Sequence, residues 1–422
     1  MRRAPSLPRR PLWEGLTAPS AWDRPTEQAV GATGVRVLTA DGASLLCATS
    51  GLWNVPLGYG NEAVADAVGA ALRSASYLSL FRSSHSYAQQ TAETLLSLTG
   101  EDRYARVVFS TSGAAANDLT MKLVRHTAAL RGAPHRNLVV GLQGGYHGLT
   151  YGALSLSGDA LGQSVYSADR RGVRHVSAQD GGEQLRQLFA REGDRIAALV
   201  LEPVLGSGAV VLDDAFLAAV AEVRAVFDFV LVADEVATGF GRTGSLFASE
   251  RWPVAPDVLV LSKALTNGAA AASAVLVSEA VCEVFDRRDA VFVHAETQAG
   301  TPASCAAILA TAAEFERLDA LRLAQDLGDA LDTTIARIGE HPGVVGTRGA
   351  GCFRSLLLAR DGRALDGAEV AQVVAATRRA GAIVQPGPSC IQLVPAYVYE
   401  RRDLDELETA VLHGLDDCEV AA

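Results

Sequence analysis

Lysine is nearly missing from this chain. Of 37 basic residues only Lys122 and Lys263 are lysines, so chemistry that needs a side-chain primary amine has two candidates. The scarcity goes with an Ala-, Gly- and Arg-rich composition and assigns no role by itself. Positive charge is short as well: 48 acidic residues against 37 basic ones give a net charge of -11, which removes the electrostatic reason for a nucleic-acid partner. Cysteine is sparse and unpaired. Cys47, Cys282, Cys305, Cys352, Cys390 and Cys418 form no C-x-x-C motif; they read as small buried apolar groups in a reducing cytoplasm, and no metal site is expected. Apolar runs such as 196–201 are strand-length, far short of a membrane span. Arg2, Arg3, Arg9 and Arg10 are followed by no apolar core, so no secretory signal is expected. There is no internal repeat, and no G-x-x-x-x-G-K-[ST] loop of the kind a nucleotide-hydrolysing enzyme needs.

What is there is a chain of 422 residues, 49% hydrophobic and 20% charged, enough for a large α/β core and a smaller companion domain. Short β-branched runs at 106–110, 138–141, 196–201, 229–234, 258–261 and 274–277 read as buried strands. Between several of them apolar residues recur three apart, as at Leu217, Val220 and Val223, the spacing of a helix face. Strands alternating with helices predict right-handed crossovers and a mostly parallel sheet covered on both faces. Ligands of such sheets sit beyond the carboxyl ends of the strands. From about residue 303 the pattern changes to one long Ala/Leu-rich helix over 303–338, shorter strand and helix signals, and a closing helix near 404–415. The division read from this is a flexible arm at 1–24, an N-terminal part of a small domain at 25–60, a large domain at 61–302 and a small α+β C-terminal domain at 303–422.

Four features fall at predicted strand ends. Ser110-Thr111-Ser112-Gly113-Ala114-Ala115-Ala116-Asn117 leads from a strand into a helix. Its small residues suit an anion on the helix N-terminus, and equally a tight turn capped by Ser112. Gly144-Gly145-Tyr146-His147-Gly148 offers an aromatic on a flexible backbone, suited to stacking on a flat ring or to an ordinary surface turn. Asp234 ends the apolar run 229–233. A carboxylate there is costly to desolvate unless a cation or strong donor meets it; a protonated pyridine nitrogen would do, and so would a metal or a helix to cap. Lys263 lies two residues past the run 258–261, where burial lowers an amine's pKa and frees the neutral form that attacks an aldehyde. Lys122, one turn before Arg125, reads as a solvated helix lysine.

In order and placement these features resemble the class III aminotransferases of the fold-type I pyridoxal-5′-phosphate (PLP) superfamily, from about Gly42 to Leu415. The stretch Asp234-Glu235-Val236-Ala237-Thr238-Gly239-Phe240-Gly241-Arg242-Thr243-Gly244, followed by Leu261-Ser262-Lys263-Ala264, is similar to that family's signature. The resemblance implies a large domain with a mostly parallel sheet and a PLP cofactor held through its aldehyde by Lys263, which also shuttles a proton. It implies Asp234 on the pyridinium nitrogen, Val236 behind the ring and Tyr146 stacked in front, beside His147. Ser112, Gly113 and Ala114 match the phosphate turn, although Ala114 stands where a hydroxyl residue is common. Thr297, in His294-Ala295-Glu296-Thr297-Gln298-Ala299-Gly300-Thr301-Pro302, matches a threonine that reaches the neighbouring subunit's phosphate, which implies a homodimer with shared sites. Glu202, in Leu201-Glu202-Pro203-Val204, matches a glutamate near the cofactor.

The pattern breaks at the substrate. Amino-acid substrates need an arginine fork for their carboxylate, and the corresponding positions hold Gln385 and Gln392. Ser207 stands where ω-amino-acid enzymes place a switching glutamate. Gly51-Leu52-Trp53-Asn54-Val55 resembles the branch acting on amines and ketones, with Trp53 and Phe81 lining the pocket; Trp53 also reads as an ordinary core tryptophan. The acceptor implied is a ketone or aldehyde without an α-carboxylate, such as the terminal ketone of a ribosomally made peptide in daptide-type biosynthesis. A small-molecule donor would still bring a carboxylate, with Arg242, Arg82 or another arginine to bind it. Competing readings are an amine or ω-amino acid–pyruvate transaminase, a 2,1-aminomutase, racemase or decarboxylating transaminase of the same fold, and a catalytically silent binding subunit.

Overall fold

A computed structural model describes residues 11–19, 27–100, 102–158 and 160–419. Most of the expected arm at 1–24 lies outside the described residues; within it Leu12, Trp13 and Leu16 are exposed.

The centre is a seven-stranded sheet in the order Arg106–Ser110, Ser273–Val277, Val258–Leu261, Val230–Asp234, Ile196–Leu201, Leu138–Leu142, Val173–Val176. Six strands run parallel, and Ser273–Val277 alone runs against its two neighbours. Period-two alternation builds two apolar faces from one sequence. Val139, Ala198, Val200, Val232 and Val260 pack with Leu119, Leu123 and Val124 of the helix Gly113–Leu130. Val140, Leu199, Leu201 and Leu231 face Leu185 and Phe189 of the helix Glu183–Glu192 and Phe216 and Val220 of Asp214–Val226. Both faces are covered, so the strands read as unbroken β-branched runs, which is why the sequence exposes them.

A second core gathers the chain's two ends. The strands Ala29–Thr33, Arg36–Thr39 and Ser44–Cys47 form a sheet completed by Ala382–Ile383, which pairs in parallel with Ser44–Cys47. Leu46, Ala48 and Leu57 pack with Leu327, Leu331, Val370, Leu407 and Val411. A further antiparallel sheet of Val344–Ala350, Phe353–Arg360, Cys390–Leu393 and Gln385–Gly387 carries Gln385 opposite Gln392.

Two expectations change. The long helix over 303–338 is two helices, Pro302–Arg317 and Ala320–Ile338, because the chain breaks at Leu318 and Asp319 takes a left-handed backbone at φ 49. The edge strand Val173–Val176 was not anticipated: its central Arg174 and His175 are only partly buried and mask the apolar pattern.

Candidate active site

The carboxyl ends of the parallel strands converge on a cavity of about 420 Å³. Asp234 closes Val230–Asp234 and is 2% exposed. Its Oδ2 accepts from Asn117 Nδ2 at 2.8 Å and lies 2.7 Å from His147 Nδ1, while Oδ1 accepts from the Val236 amide at 3.1 Å. Burial opposes a charge on His147, but the hydrogen bond and charge of Asp234 outweigh it and raise its pKa. Strand alternation turns the next residue, Glu235, the other way. There it accepts from Thr238, Ala248 and Ser249 and ties the following loop to the sheet.

Lys263 follows Val258–Leu261 and opens the short turn Lys263–Thr266 with φ 46. Burial pulls its pKa down to about 8, against the opposing charges of Asp234 and Glu202. About a tenth of the amine is therefore neutral at pH 7 and about half at pH 8, the form that attack on an aldehyde requires. Its Nζ sits 4.3 Å from the centre of the Trp53 indole. Trp53 belongs to Ser50–Trp53, four successive residues with φ between 45 and 69, a left-handed turn costing ~1–2 kcal/mol per non-glycine residue. Hydrogen bonds hold it: Ser50 Oγ donates to Val394 O, and Asn54 Nδ2 donates to the Gly51 and Leu52 carbonyls at 3.0 and 2.9 Å.

Glu202, at the end of Ile196–Leu201, joins two walls. It accepts from the Tyr146 amide at 2.7 Å and the Gly206 amide at 2.9 Å. Burial raises its pKa to about 7, opposed by His147 and reinforced by Asp234. Val236 and Tyr146 both line the cavity. A Cβ at Gly113 would stand 2.9 Å from Val236 Cγ1, so only glycine lets the helix start press this close. Ser112 does cap that helix, accepting from the Ala115 amide at 3.2 Å, and the amides of Gly113 and Ala114 open its first turn.

Of the residues singled out from sequence, Trp53, Gly113, Ala114, Tyr146, His147, Glu202, Asp234, Val236 and Lys263 all line this cavity, and Ser112 adjoins it. Gln392 is buried just behind, donating to Gly206 O at 2.8 Å. Phe81 and Thr297 are exposed and do not line it within this chain, and Gln385 is likewise outside the lining. Arg242 is corrected as a carboxylate binder. It is fully buried, donates to Pro395 O at 2.8 Å and Trp53 O at 3.3 Å, and lies over the Tyr397 ring. Asn117 was passed over, though its place four residues after Gly113 puts it on the same helix face as the turn. A larger cleft of about 650 Å³, lined by Arg125, Tyr151 and Arg171, contains none of these groups. Among the described residues no His, Cys, Asp and Glu cluster could hold a metal, and no helix is long and apolar enough to cross a membrane.

The donor set suits PLP. There is an amine of lowered pKa for an aldehyde, a buried carboxylate with acceptor capacity left for a ring N–H, an aromatic and an apolar residue for two ring faces, and a helix N-terminus for a phosphate. The fold and this strand-end arrangement define a fold-type I PLP enzyme. The family described as Aminotransferase class-III matches residues 21–414. An aminotransferase of Bacillus subtilis, YhxA, is 30% identical over 88% of each chain. The putrescine–pyruvate aminotransferase of Pseudomonas aeruginosa is 28% identical over 92% of this chain and 90% of its own. An amine transaminase from an uncultivated Pseudomonas species, solved in its PLP-bound internal aldimine form, superposes with a TM-score of 0.90 at 27% identity, covering 97% and 99% of the two chains. The chain belongs to the class III aminotransferases and is a PLP-dependent aminotransferase.

Proposed function

We propose that the enzyme moves an amino group from a small-molecule donor to a ketone or aldehyde acceptor that lacks an α-carboxylate, and that in its most specific form the acceptor is the terminal ketone of a ribosomally made peptide, as in daptide-type biosynthesis. The observation that carries this is the lining itself: among the described residues around the cavity Lys263 is the one cation besides His147, and there is no arginine. Arg242 is committed to two carbonyls, and Gln392 to Gly206. A bidentate carboxylate partner is missing where a 2-oxo acid would need it.

PLP, when bound, supplies an electron sink that lets a proton leave the amine-bearing carbon. Lys263, the buried amine of lowered pKa, would hold the cofactor through its aldehyde and would be the group placed to carry a proton at the substrate carbon. Asp234, held by His147 and Asn117, would accept from the protonated ring nitrogen. Tyr146 and Val236 would enclose the ring, and Ser112, Gly113 and Ala114 would take the phosphate. Thr297, exposed on its own chain, would reach the phosphate of a second copy in a homodimer. Trp53 and Gln392 would shape the acceptor side; Phe81 and Gln385, which lie outside this chain's lining, are assigned to acceptor contacts by the resemblance alone. Six free cysteines accord with action in the cytoplasm.

The test is a competition between acceptors with one amine donor. A peptide ending in a methyl ketone should exceed pyruvate and 2-oxoglutarate in kcat/KM by about 10²-fold, the discrimination expected when one partner's carboxylate is left unpaired. Efficient amination of simple 2-oxo acids with no turnover of the ketone sinks the proposal. It would favour instead a small amine–pyruvate transaminase, the reading supported by the relative named for putrescine and pyruvate.

A further inference from the structure

Thr297 sits at the end of a segment that is anchored with unusual care. Ser110 and Thr111 lead directly into the turn of Ser112, Gly113 and Ala114. The Glu296 carboxylate grips both: Oε1 accepts from Ser110 Oγ, and Oε2 accepts from Thr111 Oγ1 and, at 3.2 Å, from the Thr111 amide. His294 Nε2 lies 3.6 Å from the same carboxylate. A second tether comes from the helix that the turn begins. Lys122, on Gly113–Leu130, donates to Val293 O at 2.7 Å and approaches His294 Nδ1 at 3.4 Å. Lys122 is thus exposed but not idle, and residues 293–296 are bound at two points to one structural unit.

A carboxylate beside an anion cradle is electrostatically unfavourable toward that anion. It also occupies the Thr111 amide and hydroxyl, which could otherwise serve a phosphate. Burial opposes its ionisation, yet the bonds from Ser110 and Thr111, with the His294 imidazole nearby, outweigh this and hold Glu296 below the usual carboxylate range. A group that works against the cofactor's charge, and is so fully hydrogen-bonded, has a structural reason to be there. We propose that Glu296 is a positioning residue that locks the Thr297 segment to the phosphate turn of its own chain, so that the cradle of one active site and the threonine lent to the other move as one body. This rests on the reading of Thr297 as a ligand of the second copy's cofactor.

The test uses full-length enzyme stripped of cofactor and titrated with pyridoxal 5′-phosphate, followed by visible absorbance and equilibrium dialysis. Melting temperature and oligomer mass are recorded for each variant. Glu296→Ala should weaken PLP binding about tenfold, while Glu296→Gln, which can keep the Thr111 bonds, should stay within about threefold of wild type. Glu296→Asp keeps the charge but loses reach and should behave like the alanine variant, so a poorly folding alanine variant leaves the test intact. Because Glu296 acts through Thr297, the double variant Glu296→Ala/Thr297→Ala should bind no worse than Thr297→Ala by more than about twofold. Unchanged or tighter binding in Glu296→Ala and Glu296→Asp overturns the inference, as do losses that multiply in the double variant. Wild-type affinity in Thr297→Ala overturns the shared-site reading and the inference with it, whereas a weakened Thr297→Ala beside an intact Glu296→Ala overturns the inference alone.

Discussion

On the sheet side of the cavity, Asp234 is held by three donors at 2.7 to 3.1 Å, and each reactive group rides on a strand end backed by a buried apolar face. On the opposite side, Trp53 stands on a left-handed turn, and Gln392 reaches across from a different sheet to Gly206. The first wall is fixed by regular secondary structure, the second by side-chain bonds that pin an unfavourable backbone. The difference accords with the proposed division of labour, in which the groups that would act on every substrate sit on the rigid wall and those that would select the acceptor sit on the wall that can be rebuilt residue by residue.

The comparison can be broken by substitution. Lys263→Ala should reduce turnover by about 10³-fold or more, since removing a positioned proton carrier alone costs that order; retained turnover in a steady-state assay would mean the rigid wall does not carry the chemistry. Asp234→Asn leaves His147 without its carboxylate and the ring nitrogen without its partner, a buried-pair loss of about 3 kcal/mol or a little over 10²-fold. The fall should appear in kcat with cofactor absorbance altered. Cofactor uptake by the stripped enzyme should quicken about tenfold between pH 7 and 9, because Lys263 titrates at about 8 and only its neutral form reacts. The same shift has a stability signature. Between pH 8 and 10.5 the unfolded chain holds the proton that the fold has lost, so the cofactor-free fold gains stability as pH rises through that window.

Weaker effects sharpen the contrast. Trp53→Leu should change the ratio of kcat/KM between bulky and small ketones by about tenfold, leaving cofactor binding within about twofold. A collapse of cofactor binding instead would assign Trp53 to the rigid wall. Asp366 caps Gly367–Arg379 in a capping box with Glu369, far along the chain from the cavity lining. Asp366→Ala should cost about 1 kcal/mol of stability in denaturant melts with kcat unchanged.

Much of the rigid wall was legible in the sequence because its physics is local. Buried parallel strands must be apolar throughout, so Asp234 and Lys263 stand out where such runs stop. Asn117 was missed although it lay inside a quoted motif, because a hydrogen bond from helix to strand end needs the packing angle between them. The break at Leu318 and Asp319 has no proline or glycine to announce it, and Asp319 carries the left-handed backbone instead. The second wall was the least readable. Nothing local says that Ser50 and Leu52 adopt positive φ, since the turn depends on Val394, some 340 residues away. The commitment of Arg242 to Pro395 and Trp53 is equally non-local, which is why an arginine in a signature loop passed as a substrate ligand.

One experiment bears on the whole account. The purified protein is given pyridoxal 5′-phosphate, reduced with borohydride and mapped by peptide mass spectrometry, which fixes the cofactor to whichever amine held it. With only two lysines to choose from, the expected result is a single pyridoxyl label on Lys263. A label on Lys122, or none, would contradict it.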